Sequence, residues 1–507
     1  MDISGLLSRH ALGRGDQLAF VCDDMRLTWR ELHSRVCQVA NALLGIGIVK
    51  GDKIATLLGN CPELIELYWA AARIGAVIVP CSTLLRGGGL LTLLTDSDTA
   101  LVVTSTSQVA ILETIRDQLP HIPSQRYLLV DRSAAPAPAY ADYHSLVHAA
   151  PDTEPPDAAI TGDDLYNIMY SSGTTGQPKG IMLSHRVRAL YGAIFSGSYR
   201  ILPESVILHA GSLVFNGAFL TLMPWLYLGS TYVLMTHFDA HELIELVKRE
   251  GVTHIKMVPA QIVALLNQPD FDEQHLPTLA MIGSVGAPLH LEHKHALQRR
   301  LPGRLYELYG LTEGIMTILD TQHLDQKLDS VGIAPPFISI KIVDEHGQEL
   351  PAGQIGEIVG KGPMLMSGYY KRPALTEKAL VDGWLYSGDV GYMDKDGFLY
   401  LVDRKKDMII SGGINVYPRD IEEVVVQHPA VREAAVIGVP SAKWGETPLA
   451  VVVLQSPAAV GAEELRDWVN TRVAASFQKI SAVEIIDEFP RNAAGKILKR
   501  EMRERPR

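Results

Sequence analysis

Residues 170–180, Tyr-Ser-Ser-Gly-Thr-Thr-Gly-Gln-Pro-Lys-Gly, place three glycines, four Ser or Thr hydroxyls and one lysine side by side. Glycine lets backbone N–H groups approach an oxyanion, hydroxyls add donors, and a lysine adds charge, so the composition suits a phosphate group. The NTPase loop G-x-x-x-x-G-K-[ST] does not fit, because Lys179 lies three residues after Gly176 and is followed by Gly180. The G-x-G-x-x-G patterns fail as well. A flexible surface loop is the plain alternative, but residues 165–170 read as a buried strand leading in, and the Pro-Lys-Gly end is specific.

Further along the chain, Tyr309-Gly-Leu-Thr-Glu313 joins an aromatic that can stack on a purine to Thr312, a phosphate donor, and Glu313, a hard oxygen ligand suited to Mg2+. Gly283-Ser-Val-Gly-Ala-Pro288 leaves a strand at residues 279–282, the kind of strand end where open α/β sheets bind ligands. In Tyr386-Ser-Gly-Asp389, Asp389 can accept from vicinal hydroxyls, although alone it reads as a turn aspartate. The run 403–409 is charge-dense, residues 411–418 are glycine-led, and Lys496 follows a glycine in a loop-like tail. Charge runs and lone lysines are most often solvated surface, as Lys499 and Arg500 are expected to be.

The 170–180 string resembles the signature loop of the adenylate-forming superfamily of acyl- and aryl-CoA synthetases, luciferases and peptide-synthetase adenylation domains. Five motifs in that family's order between residues 170 and 496 extend the resemblance over nearly the whole chain, and it is nearest to the fatty-acyl-CoA and 4-coumarate-CoA ligases. The resemblance implies ATP contacts from Ser171, Ser172, Gly173, Thr174, Thr175, Gly176, Gly286, Ala287, Tyr309, Gly310, Thr312, Asp389, Arg404 and Lys496. It implies catalytic roles for Lys179, Thr312, Glu313 and Lys496, with Mg2+ on Glu313, and a hinge at Lys406. Gly412, Gly413 and Trp444 would border the CoA path. Relatives often carry a Pro-Leu-x-His-type segment that gates the acyl pocket. Here that stretch is Ser212-Leu-Val-Phe-Asn-Gly-Ala218, so the gate is Phe215 or, with a one-residue slip, Asn216. Ile315, Met316 and Tyr232 are further candidates for the pocket lining.

Elements able to position these residues are visible in the pattern. Residues 28–44 form a helix with a Thr28/Glu31 capping box, 53–58 and 76–79 are buried strands, and 63–74 is an amphipathic helix. Ser184 N-caps a helix through His185, Arg188 and Tyr191. Residues 241–250 are helical and 253–258 extended. Glycine-punctuated β patterns fill 330–402, and 419–507 alternates strands (434–439, 448–454, 483–486) with a helix at 462–475. The expected fold class is α/β. A large N-terminal domain of parallel-type sheets (1–403), with a small β-barrel-like subdomain at 330–402, is joined by a hinge at 404–406 to a small mobile α/β C-terminal domain (407–507).

Composition sets bounds. With 57 acidic and 46 basic residues the net charge is −11, which disfavours nucleic acid as a partner but not a nucleotide. Four cysteines without C-x-x-C spacing argue against zinc or a disulfide framework and suit a cytoplasmic protein. The start, Met-Asp-Ile-Ser-Gly, lacks a signal-peptide core, and no carrier domain is expected after the tail. Residues 206–236 carry no Asp, Glu, Lys or Arg, but Gly211, Asn216, Gly217, Pro224 and Gly229 interrupt them. A buried helix followed by a buried strand is expected there, not a membrane span.

The implied reaction joins a carboxylic acid to ATP as acyl-AMP and then to the thiol of CoA; the partners are a small acid, ATP and CoA, with a homodimer left open. The apolar stretch favours a non-polar acyl or aryl acid over an amino acid. An acyl-AMP ligase that loads a carrier protein's phosphopantetheine is the alternative. A non-catalytic nucleotide-binding regulator is disfavoured by intact Lys496, Glu313 and Arg404.

Overall fold

The computed structural model describes residues 1–131, 140–171, 179–404, 407–411, 414–441, 444–456, 459–491 and 497–505. Buried apolar strands generate its centre. One eight-stranded sheet runs, edge to edge, through Met316–Leu319, Leu305–Gly310, Met281–Ser284, His254–Met257, Val206–His209, Thr231–Leu234, Leu18–Cys22 and Met25–Thr28. Its interior pairings are parallel and its two edge pairings antiparallel. A second eight-stranded sheet runs through Gly368–Tyr369, Lys179–Ser184, Leu165–Ser171, Val77–Pro80, Lys53–Leu57, Thr99–Thr104, Tyr127–Leu129 and Ala141–Asp142. Strands buried on both faces read as continuous apolar runs, as Lys53–Leu57 and Val77–Pro80 do.

Helices fill the space between and around these sheets. Trp29–Gly45 starts at Thr28, which accepts from the Glu31 amide while Glu31 caps in return, so the expected capping box is present. Pro62–Ile74 begins with proline and ends at Gly75 in the left-handed region. His185–Ser198 is N-capped by Ser184 and packs closely on Asn216–Leu228. A Cβ on Gly192 would lie 2.8 Å from the Tyr227 Cβ, so glycine sets that approach. Aromatic and aliphatic residues of both sheets and these helices form one core, including Tyr68, Tyr166, Tyr191, Phe195, Phe219 and Trp225.

Two expectations change. Residues 206–236 fold as strand, helix and strand, because Val206–His209 enters the first sheet before the helix begins. No helix among the described residues is long and apolar enough to cross a membrane. The helix expected to reach residue 475 ends at Asn470, whose side chain bonds the backbone of Ile480 from both its amide atoms (3.0 and 2.7 Å), which turns the chain back.

The glycine-punctuated region builds a five-stranded antiparallel sheet, the barrel-like subdomain, from Ser339–Val343, Gly356–Lys361, Leu380–Val381, Trp384–Met393 and Leu399–Arg404. The C-terminal unit is α/β, with Val431–Ser441 and Gly445–Leu454 as its long hairpin and Val483–Ile485 parallel to the latter. Gly314, at φ +113°, closes the turn between Leu305–Gly310 and Met316–Leu319, and a Cβ there would strike the Met364 carbonyl. Gly314→Ala is expected to cost more than about 1 kcal/mol, read as a lower urea midpoint. An unchanged midpoint would mean that this turn is not tightly held.

Candidate active site

The two strands that flank the glycine-rich segment pair as a hairpin. Leu165–Ser171 pairs antiparallel with Lys179–Ser184, setting Tyr170 opposite Gly180 and Ser171 opposite Lys179 at the loop base. The sequence pattern does not reveal this second strand before the helix. The base is anchored from below: the Tyr170 hydroxyl donates to Asp96 (2.8 Å), and Arg372 donates to the same carboxylate (2.7 Å).

A short strand, Gly368–Tyr369, adds to the outer edge of the hairpin. It brings in a functional residue that sequence reasoning misses. The Lys179 Nζ sits 5.2 Å from the centroid of the Tyr369 ring, and the Tyr369 hydroxyl donates to Glu313 at 2.9 Å. The backbone follows the same route, since the Met366 N–H donates to the Glu313 carbonyl (2.8 Å). Burial, reinforced by the Glu313 charge, pushes the phenol's pKa well up, so Tyr369 remains a donor at neutral pH. One aromatic side chain thus links the lysine of the glycine loop to the glutamate of the Tyr-Gly-Leu-Thr-Glu turn. Glu313 is half-buried and accepts from Tyr369. A carboxylate is a hard oxygen ligand, so its chemistry fits a hard cation such as Mg2+.

A second junction joins the same turn to the barrel-like sheet. The Tyr309 hydroxyl donates to Asp389 at 2.9 Å, and both residues are buried. Asp389 also stands opposite Arg404 in the strand pairing. The structure therefore brings together Tyr309, Gly310, Thr312, Glu313, Lys179, Asp389 and the backbone of Arg404. Gly286 and Ala287 are exposed at the exit of Met281–Ser284.

The acyl-pocket candidates divide. Ile315 and Met316 are buried in the main core, with Ile315 packed over Gly360, and Tyr232 lies against Trp225 in the same core. Phe215 and Asn216 are half-buried at the start of Asn216–Leu228. Asn216 accepts from Arg188 (2.9 Å) and donates to the Tyr191 hydroxyl (3.3 Å).

Ser172, Gly173, Thr174, Thr175, Gly176, Lys406, Gly412, Gly413 and Lys496 lie outside the described residues. Trp444 is 49% exposed. At the junction with the C-terminal unit, Arg419 donates to the Leu401 carbonyl (3.1 Å), and Glu423 meets His290 (3.0 Å). A cleft of about 640 Å³ opens there between Lys294, His295, Tyr400, Arg419, Asp420 and Glu423, and among the described residues none of the expected nucleotide contacts line it. Lys499, expected to be solvated, is instead half-buried and held at 2.7 Å by Glu422 of the helix Pro418–Val425.

Residues 7–370 match the AMP-binding enzyme family, and residues 420–496 match the AMP-binding enzyme C-terminal domain. The chain is 34% identical over 488 residues to a feruloyl-CoA synthase of Amycolatopsis sp., covering 94% of each chain. It is 32% identical over 521 residues to a fatty acid–[acyl-carrier-protein] ligase of Streptomyces coeruleorubidus, covering 98% of this chain and 95% of that one. ATP-bound MatB from Rhodopseudomonas palustris superposes with a TM-score of 0.89 at 29% identity, with 99% of each chain covered. The chain belongs to the AMP-binding enzyme family, whose adenylate-forming fold its two matched regions span.

Proposed function

We propose that this protein is an ATP-dependent acid:CoA ligase, an AMP-forming acyl-CoA synthetase. The observation that carries the reading is the Tyr369 junction, which holds Lys179 and Glu313 around one point although 134 positions separate them in the chain. In the first half-reaction a carboxylate oxygen attacks the α-phosphorus of ATP; the bond to the bridging oxygen breaks, giving acyl-AMP and pyrophosphate. In the second, a thiol attacks the acyl carbon, AMP leaves, and the thiol proton passes to solvent.

A carboxylate is a weak nucleophile, so positioning and charge neutralisation supply most of the acceleration. Loop 172–178 and Lys179 would hold the phosphates, with Ser171 at the loop base. Glu313 would hold Mg2+, which supplies charge neutralisation at the leaving pyrophosphate. Tyr309 and the Gly286–Ala287 turn would flank the purine. Asp389 would accept from the ribose, its bond from Tyr309 fixing the carboxylate's orientation. Lys496 would approach the carboxylate and α-phosphate in adenylation and then withdraw as residues 407–507 rotate about Lys406, opening the path past Gly412, Gly413 and Trp444 to CoA. The acid is expected to have an apolar or aryl body, in keeping with the feruloyl-CoA synthase relative, and four free cysteines suit the cytosol. A carrier-protein thiol as acceptor is the second reading, favoured by the Streptomyces coeruleorubidus relative.

Pyrophosphate release should be followed with ATP and Mg2+ across a panel of acids, from acetate through medium chains to cinnamates, each with and without CoA. Turnover that needs one acid class and CoA supports the ligase; turnover only with a phosphopantetheinylated carrier supports the second reading; no release with any acid contradicts both. Lys496→Ala should slow adenylation by on the order of a hundred- to a thousandfold and spare thioester formation from supplied acyl-AMP. Equal losses in both halves would reject its role. Tyr369→Phe should lower adenylation roughly tenfold and raise the Mg2+ concentration needed for half-maximal rate, since a hydrogen bond to a charged group contributes about 1.5–3 kcal/mol. Unchanged Mg2+ dependence would contradict that assignment.

A further inference from the structure

Buried charge in this protein is generally compensated. Glu66, 2% exposed, is paired with Arg35, and buried Lys294 is paired with buried Glu307. Two buried cations have no carboxylate partner among the described residues. Lys256 meets only the Tyr199 hydroxyl (2.5 Å), and burial drives its pKa well down, so it can shed its proton. Arg188 has no such escape. Burial lowers its pKa only to about 10, so it stays charged at neutral pH.

Arg188 is completely buried, yet its contacts are all neutral. Nε donates to the Asn167 carbonyl oxygen (3.2 Å) and Nη1 to that of Asn216 (2.9 Å). The guanidinium lies 3.9 Å from the Phe219 ring centroid and 4.9 Å from that of Tyr191. Nη2 has no hydrogen-bond partner among the described residues. An unpaired buried guanidinium with an unused donor is costly unless an anion completes it. Its position suits that use. Arg188 lies on the helix that follows the glycine hairpin, and its partner Asn216 opens the next helix beside Phe215. Both Phe215 and Asn216 are only half-buried. The adjoining Gly217 faces Val285, the residue before Gly286, with 3.7 Å between its would-be Cβ and the valine methyl. Half-buried Asn216 is thus the neighbour that stands between Arg188 and the strand ends.

We propose that Arg188 is a specificity-determining residue that receives a second carboxylate, at the end of the substrate remote from the reacting carboxyl, and hence that the preferred substrate is a dicarboxylic acid with an apolar body. This rests on the acid-ligase reading. The Nη2 of Arg188 supplies one charge-assisted bond, and the Asn216 amide, which carries a second N–H besides the one on Tyr191, supplies another donor.

The test compares chain-matched pairs, hexanoate with adipate and octanoate with suberate, in pyrophosphate release with the full-length protein, ATP and Mg2+. The wild type should favour the diacid in kcat/KM by at least about tenfold. Arg188→Met should lower the diacid value by about a hundredfold, leave the monoacid value within about threefold, and melt no earlier than the wild type, since it removes a buried unpaired charge. Wild-type preference for the monoacid, or an equal loss of both substrates in Arg188→Met, would overturn the proposal while leaving the ligase reading in place. Release with neither acid of any pair, nor with any other carboxylic acid, would remove the ligase reading and this proposal with it. If Arg188→Met does not fold, the wild-type preference decides alone.

Discussion

Lys179 and Glu313 carry opposite charges on segments from different sheets, and both would be ordinary solvated side chains if nothing held them. Tyr369 holds them. Its ring offers a π face to the ammonium group, and its hydroxyl offers a hydrogen bond to the carboxylate. Tyr369 can do this only because Gly368–Tyr369 is hydrogen-bonded to the far edge of the glycine hairpin, and the hairpin is itself the antiparallel margin of an otherwise parallel sheet. The geometry of the site therefore depends on sheet registry. A one-residue slip in Gly368–Tyr369 would turn the tyrosine to the opposite face and separate the two charges. The Tyr309–Asp389 bond fixes the same turn to the barrel-like sheet, so the turn is tied on two sides before any nucleotide arrives.

The treatment of buried charge tells structural groups from groups with unfinished chemistry. Lys294 and Glu307 satisfy each other between the helix Leu291–Arg300 and the first sheet, and Arg35 with Glu66 does the same under the Trp29–Gly45 helix. Such pairs are neutral scaffolding. Arg188 differs in having amides and aromatic faces where the others have a carboxylate. The same helix carries the Ser184 cap that ends the glycine hairpin, so the proposed sites for the acid's remote end and for the phosphates would be referred to one element.

What the chain discloses before folding is mostly local. The Thr28/Glu31 box, the Ser184 cap and the strand expected at 165–170 all act over a few residues, and the structure places these three as expected. Tyr369 was not legible because its role comes from pairing with a strand nearly two hundred positions earlier, and a two-residue strand leaves no periodicity. The strand Lys179–Ser184 was hidden for a related reason: glycine and lysine at its start read as loop. The sequence places Arg188 on the helix that Ser184 caps but not on a buried face; the close approach of two helices at Gly192 accompanies its burial. The uncharged residues 206–236 gave no period to separate strand from helix, because most of their positions are buried.

The most direct measurement is a rapid-quench experiment with ATP, Mg2+ and an accepted acid, first without CoA and then with CoA added. A burst of pyrophosphate and enzyme-bound acyl-AMP, near one equivalent per chain, followed by conversion to the CoA thioester with AMP release, is the result the account predicts. Pyrophosphate without any acyl-AMP, or acyl-AMP that CoA leaves untouched, would contradict a two-step acid:CoA ligase.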